Sequence, residues 1–297
     1  MSHPPPENST KSALTAGFTL IELSMVLMVI GLLVGGVLTA QDLIKAAQVR
    51  AQVTQLERYN TAANTFRIIY NYLPGDVPGL LATSLGLVAR AGTRGRGDGN
   101  GLIEGYNYQS AVVTPSLQSG ETVFFWEDLS SAQLMDYGPF NTAIDVERNA
   151  VNLAALPLFI PPAKIGGGNF MYVYSGGTWP SGASDGFNYF GLSSAQSITA
   201  DQGILISNPG LTVAQAYAID LKVDDGLPSS GKVQANYVTK WNLNPSTDGV
   251  EASASATTPS SSTCYDQGGN SSNPWQYSMS QSGGSNMNCG LSFRAQF

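Results

Sequence analysis

Histidine is almost missing from this chain of 297 residues: His3, near the N-terminus, is the only one. Imidazole is the commonest general acid or base at neutral pH and a frequent zinc ligand, so both chemistries lose their usual residue. Charge is scarce too. Asp, Glu, Lys and Arg make up 12% of the chain, about half of the ~25% usual in soluble domains. The net charge of -7 speaks against a nucleic-acid-binding surface. Cysteine occurs twice, as Cys264 and Cys289, in a tail rich in Gly, Ser and Asn and without a CxxC pair. A disulfide is the simplest reading, and an oxidising compartment follows from it. Two free thiols in a cytoplasmic protein are the alternative.

The motifs of nucleotide and nucleophile chemistry are missing as well. Thr93-Arg94-Gly95-Arg96-Gly97 is Gly-rich but lacks the GxxxxGK[ST] pattern and follows no clear strand. No GxSxG elbow occurs, and Asp224 and Asp225 are adjacent, which does not by itself make a glycosidase-type pair. The expectation is a protein that is not an enzyme and holds no organic cofactor. Proline is missing from Phe18 to Leu73, which leaves room for one long helix.

What the chain does have is an unbroken apolar run. From Phe18 to Ala40 the only ionisable group is Glu22, and a bilayer span takes ~20 residues. The run is too long for the ~7–15-residue core of a secretory signal, and Leu38-Thr39-Ala40 is a poor cleavage match. A carboxylate inside such a run costs ~2.5–3.5 kcal/mol or more, so it reads as functional by default. An interfacial Glu reaching up to headgroups is the plainer alternative. Basic residues do not settle orientation: Lys11 precedes the run, and Lys45 and Arg50 follow it. Gly31 and Gly35, joined by Gly36, form a small-xxx-small pair suited to close helix packing, although glycine is also common in membrane helices.

Gly17-Phe18-Thr19-Leu20-Ile21-Glu22, with the apolar run behind it, resembles the processing site of type IV pilins and type II secretion pseudopilins. That resemblance implies a leader over residues 1–17, cut after Gly17 by a prepilin peptidase that methylates the new amine of Phe18. It implies a structural subunit that polymerises through its N-terminal helix, with Glu22 meeting the Phe18 amine of a neighbouring subunit. A minor subunit at a filament tip, its head binding a surface, DNA or secreted substrate, is the alternative. The partners implied are the peptidase, other pilin-like subunits, an inner-membrane assembly platform and, before assembly, the lipid bilayer. Nucleic acid is not expected outside a DNA-uptake filament. The location implied is the bacterial inner membrane, single-pass, N-terminus cytoplasmic, with the head periplasmic or extracellular in a filament.

After the span, residues 41–73 continue as an amphipathic helix, with Val49, Val53, Leu56, Tyr59, Ala63, Phe66 and Tyr70 three or four residues apart. Leu73-Pro74-Gly75-Asp76 ends it. Residues 74–297 form the head, with strands expected at Phe170–Tyr174, Tyr189–Leu192, Ile204–Ser207 and Gln234–Trp241. A short helix is expected over Thr122–Met135. Tyr217–Val223 stays undecided between helix and strand. The fold class is α+β, a long N-terminal helix packed on a C-terminal antiparallel sheet. Residues 244–263 read as a low-complexity mobile loop. Asp98, Asn100 and Glu104 place oxygens along a Gly-rich turn, a weak calcium pattern against the commoner reading of an exposed turn. Ile219 to Val233, with "LPGD" and "GDGNG", resembles stretches of large pilin-like proteins. Within it Asp224-Asp225-Gly226 reads as a turn whose carboxylates accept backbone N–H groups, a metal role or lateral subunit contact being the lesser alternative.

Overall fold

A computed structural model describes residues 1, 18–90, 97–103, 105–106, 113–114, 121–140, 151–175, 186–199, 205–239 and 249–297. The chain divides into two units, Met1–Ala46 and Ala47–Phe297. Helix α1 runs over Leu20–Tyr70, 51 residues. It starts behind Thr19, and Asn71, in the left-handed conformation (φ 62), terminates it. The expected Phe18–Leu73 helix is thus shortened only at its ends.

Within the second unit, α1 buries Val49, Leu56, Tyr59, Ala63 and Phe66, the expected stripe, with Val53 and Tyr70 half-buried beside it. Polar side chains share that face. Gln55 accepts from the Lys164 N–H (2.8 Å) and donates to the Pro162 carbonyl (2.9 Å). One turn earlier, Gln52 accepts from the Ile165 N–H at 3.0 Å. Further along, Asn60 accepts from the Gln296 N–H (2.8 Å), and Asn64 donates to the Gln296 carbonyl (2.9 Å). Gln52, Gln55 and Asn60 are buried, where an amide must be hydrogen-bonded, and with half-buried Asn64 they pin two remote segments to the helix.

Helix α2 is Glu121–Ser131. It ends short of the expected Met135 because Gln133 takes a left-handed φ of 57°. Leu134 N–H then reaches the Leu129 carbonyl and Gln133 N–H that of Ser130, the hydrogen bonds of a Schellman cap. Phe125, Trp126 and Leu129 of α2 are fully buried. Their rings meet Tyr59 of α1 (5.0 Å from Trp126), Phe190 and Phe297, each with offset or edge geometry.

The sheet is built from β1 (Phe170–Ser175), β2 (Asn188–Ile198), β3 (Leu205–Asn208), β4 (Val233–Gln234) and a C-terminal strand at Leu291–Arg294. All pairings among these are antiparallel. The first half of β2 lies between β1 and Leu291–Arg294. Its second half pairs with β3 and, on the other side, with Val151–Asn152. The expected Gln234–Trp241 strand is broken at Ala235, whose N–H turns aside to the Pro228 carbonyl. Asn236–Thr239 then pairs instead with Gly249–Ala252; residues 240–248 lie outside the described set.

That second pairing corrects the mobile-loop reading of residues 244–263. From residue 249 the stretch is strand and turn. Ser255–Ala256 runs parallel to Tyr265–Asp266, and buried Ser253 exchanges hydrogen bonds with Gly290. Its composition offers few apolar groups, so its order comes from backbone pairing and from the Cys264–Cys289 disulfide beside it. Closing a loop of 25 residues removes chain entropy corresponding to about 3.5 kcal/mol.

A closed circuit of buried hydroxyls seats the Asn236–Thr239 hairpin on the sheet. Tyr172 O–H meets Ser193 Oγ (3.1 Å), Ser193 Oγ donates to Ser207 Oγ (2.9 Å), and Ser207 Oγ donates to the Val238 carbonyl (2.7 Å). The Val238 N–H returns to the Tyr172 oxygen at 2.9 Å. Burial pushes the Tyr172 phenol far above its ordinary value. The Tyr172 ring lies across Gly191, where a Cβ would stand 1.9 Å from a ring carbon. Gly191→Ala should therefore displace Tyr172 and open the circuit, destabilising the protein by roughly 3 kcal/mol. Denaturant unfolding of wild type and variant in detergent solution measures this, and an unchanged midpoint would refute it.

Candidate functional site

The first candidate is the start of α1. Every large apolar side chain from Phe18 to Ile44 is exposed within its unit, Leu20 at 87%. A contiguous apolar surface of this size marks a partner or a membrane rather than water. Among the described residues, α1 is the one helix long and apolar enough to cross a bilayer, and it lies near the N-terminus. Polar groups inside the run are satisfied locally: Ser24 donates to the Ile21 carbonyl (2.9 Å) and Thr39 to that of Gly35 (3.0 Å). A Cβ at Gly31 or Gly35 would meet nothing within 4 Å. Among the described residues, therefore, nothing requires glycine there.

Glu22 occupies the third position of the helix, and Thr19 is its N-cap. The Thr19 N–H (2.8 Å) and hydroxyl (2.7 Å) both donate to Glu22 Oε2, and the Glu22 N–H reaches back to Thr19 Oγ1 at 3.3 Å. This reciprocal pair is a capping box, which satisfies donors that a helix start leaves open. The spacing Thr19-x-x-Glu22 carries the signal of this cap in the sequence. The expected partner, the Phe18 amine, arises only on cleavage after Gly17, and Gly17 lies outside the described residues.

The second candidate is the turn 97–103 with Asp76 beneath it. Asp76 is buried, and its two oxygens accept from the Gly99 N–H (2.7 Å) and the Gly101 N–H (2.8 Å). Asp98 accepts from the Asn100 N–H (3.0 Å), and Asn100 Oδ1 accepts from the Leu102 N–H (2.7 Å). Asn188 closes the far side, accepting from the Ile103 N–H and donating to the Gly101 carbonyl. Below the turn, Gly75 approaches α2 so closely that a Cβ would stand 2.2 Å from the Glu121 carbonyl oxygen. The fully buried Arg90–Asp128 ion pair holds the same corner, Arg90 donating also to the Val77 carbonyl at 2.8 Å.

Asp98 joins Asp76 and Glu121 here, their carboxylate oxygens within 4.8 Å of one another. These three lie close enough to share a cation such as calcium, while of the expected Asp98–Asn100–Glu104 set Asp98 and Asn100 alone can be placed. Asn100 Oδ1 is taken by the turn, and Glu104 lies outside the described residues. Burial pushes the Asp76 carboxyl above its usual range, opposed by the Gly101 and Gly99 N–H groups.

The third group is Asp220, Asp224 and Asp225. Asp224 Oδ2 accepts from the Lys232 N–H, and the Asp225 oxygens take the Leu227 N–H (2.8 Å) and the Ser230 hydroxyl (2.9 Å). Asp220 accepts from the Gly226 N–H (3.2 Å) and the Tyr277 hydroxyl (2.8 Å). The oxygens are spent on donors, as expected of a turn. Asp220 belongs to helix α3, Val213–Val223, which settles the undecided Tyr217–Val223 segment. A capping box at its start, Thr212 with Gln215, is the signal that decides it.

Compared with known proteins, the chain matches no family model, no curated protein and no solved structure.

Asp76→Ala should leave two partly buried N–H groups without acceptors, at about 1–3 kcal/mol each. The expected result is a fall of several degrees in melting temperature, together with new protease cleavage within residues 97–103. Loss of melting temperature without local cleavage would show that Asp76 does not hold this turn.

Proposed function

We propose that this chain is a membrane-anchored filament subunit of the type IV pilus or type II secretion pseudopilus kind. The observation that carries the reading is the first half of α1. It exposes an apolar surface from Phe18 to Ala40 in which Glu22, near its start, is the single carboxylate. In a bilayer that surface faces lipid. In a filament it faces the helices of other subunits.

Cleavage after Gly17 would free a cationic amine on Phe18, beside the Thr19–Glu22 capping box. Thr19 holds Glu22 through Oε2, so Oε1 remains for an amine brought by another copy. The carboxylate thus has two distinct tasks, closing the helix start and meeting a neighbour's charge. Glutamine at the same position performs the first task but not the second.

Glu22→Ala and Glu22→Gln are both expected to insert in the membrane at wild-type levels. Both are expected to lower filament-associated protein tenfold or more, read by shearing and immunoblot. Ordinary filaments from Glu22→Gln would reduce Glu22 to a helix cap and remove the assembly role. N-terminal sequencing of mature protein is expected to begin at Phe18, and a mature chain retaining Met1 would overturn the reading as a whole.

A further inference from the structure

Helix α3 is clasped by the disulfide-closed segment 264–289. Near the helix start, Leu211 and Cys289 exchange backbone hydrogen bonds, and the Val213 N–H donates to the Asn286 carbonyl at 3.0 Å. At the other end the Tyr277 hydroxyl donates to Asp220 Oδ2 at 2.8 Å. The Tyr217 and Tyr277 rings pack beside it with centroids 5.8 Å apart. Asp220 is fully buried, yet it is an acid.

Among the described residues, the ionisable groups facing Asp220 are all acidic or phenolic. Asp224 and Asp225 lie at the end of its own helix, with oxygens within 4.8 Å. Tyr277 comes from the clasping segment and Tyr265 from the strand paired with it; Tyr217 comes from α3. Of the other elements packed on α3, Val233–Gln234 and Ser282–Gly284 bring no titratable side chain. The cation on α3, Lys222, is exposed, two residues along and so on another face of the helix. Lys232 contributes only its backbone N–H, and that to Asp224.

We propose that buried Asp220 is a proton-operated latch for segment 264–289: protonated, it lets the segment close over it on α3, and ionised, it loosens the segment, because a charge enclosed there costs more than the strengthened Tyr277 contact offsets. Burial raises the Asp220 carboxyl to about 6, against the opposing pull of the Tyr277 and Gly226 donors, with Asp225 and Asp224 adding to the rise. When the segment undocks, Asp220 of α3 is solvated and returns to the ordinary carboxylate range. The docked state therefore binds the proton more tightly. Docking is favoured as pH falls below about 6, and that gain is lost as pH rises through the same value. Between pH 7.5 and pH 5 the docked-to-undocked ratio should rise roughly tenfold.

Hydrogen exchange on the full chain in detergent micelles, at pH 5 and pH 7.5 and corrected for intrinsic exchange, tests the latch. Amides bonded across the contact, such as that of Val213, which donates to the Asn286 carbonyl, and that of Cys289, which donates to the Leu211 carbonyl, should gain roughly tenfold in protection at pH 5. Asp220→Asn should abolish the difference. Tyr277→Phe removes a donor that favours the ionised carboxylate, so its transition should move to higher pH. Equal wild-type protection at both pH values, a pH difference that survives in Asp220→Asn, or an unmoved transition in Tyr277→Phe would each overturn the proposal.

Discussion

The head depends on where along α1 the chain is gripped, and two glutamines set that point. An apolar stripe with a three-or-four spacing offers almost the same surface after a shift of one turn. Gln52 and Gln55 remove that freedom, because their amides must meet particular backbone groups of residues 162–165. A slip of one turn would leave buried amides without partners, a penalty on the order of 1–3 kcal/mol for each group. Strand β1, which begins at Phe170, follows directly from the gripped segment, and β2 pairs along β1. Asn60 and Asn64 tie down the opposite end of the chain in the same way.

Carboxylates and hydroxyls elsewhere are used locally and repeatedly for one purpose, to close backbone donors. Two of the helices open with the same device, Thr19 with Glu22 and Thr212 with Gln215. Asp76, Asp98 and the Asp224–Asp225 turn do so for loops. A chain with so few charges places a good share of its acids at such positions. Asp220 differs from the rest. Beside the Gly226 N–H it takes a side chain from a remote segment, Tyr277, and it is fully buried with no cation facing it among the described residues.

Several features were legible from residue order because their causes are local. The amphipathic stripe of α1, the strands at Phe170, Tyr189 and Leu205, and the paired cysteines follow from periodicity, branching and spacing. Other features were present in the sequence and misread. The capping box at Thr212 settles the helix that periodicity left open, and the one at Thr19 gives Glu22 a partner before any neighbour is considered. The stop at Ser131 was not legible, since nothing in Gln133 announces a left-handed residue. Nor was the strand at Gly249–Ala252, whose small and polar residues pair only because Asn236–Thr239 and Gly290 stand beside them.

The sequence by itself determined the long helix, its apolar run to Ala40 with one acid, the amphipathic continuation and the α+β class. Each rests on interactions between residues a few positions apart, or on the solvent a side chain prefers. Tertiary structure alone decided which acids gather. Asp76 finds the 97–103 turn and Glu121, and Asp220 finds Tyr277, across separations that no periodicity encodes. Convergence of that kind depends on how α2, α3 and the sheet pack, and packing is settled by the shape and hydrogen-bonding demands of the whole buried interior rather than by any one segment.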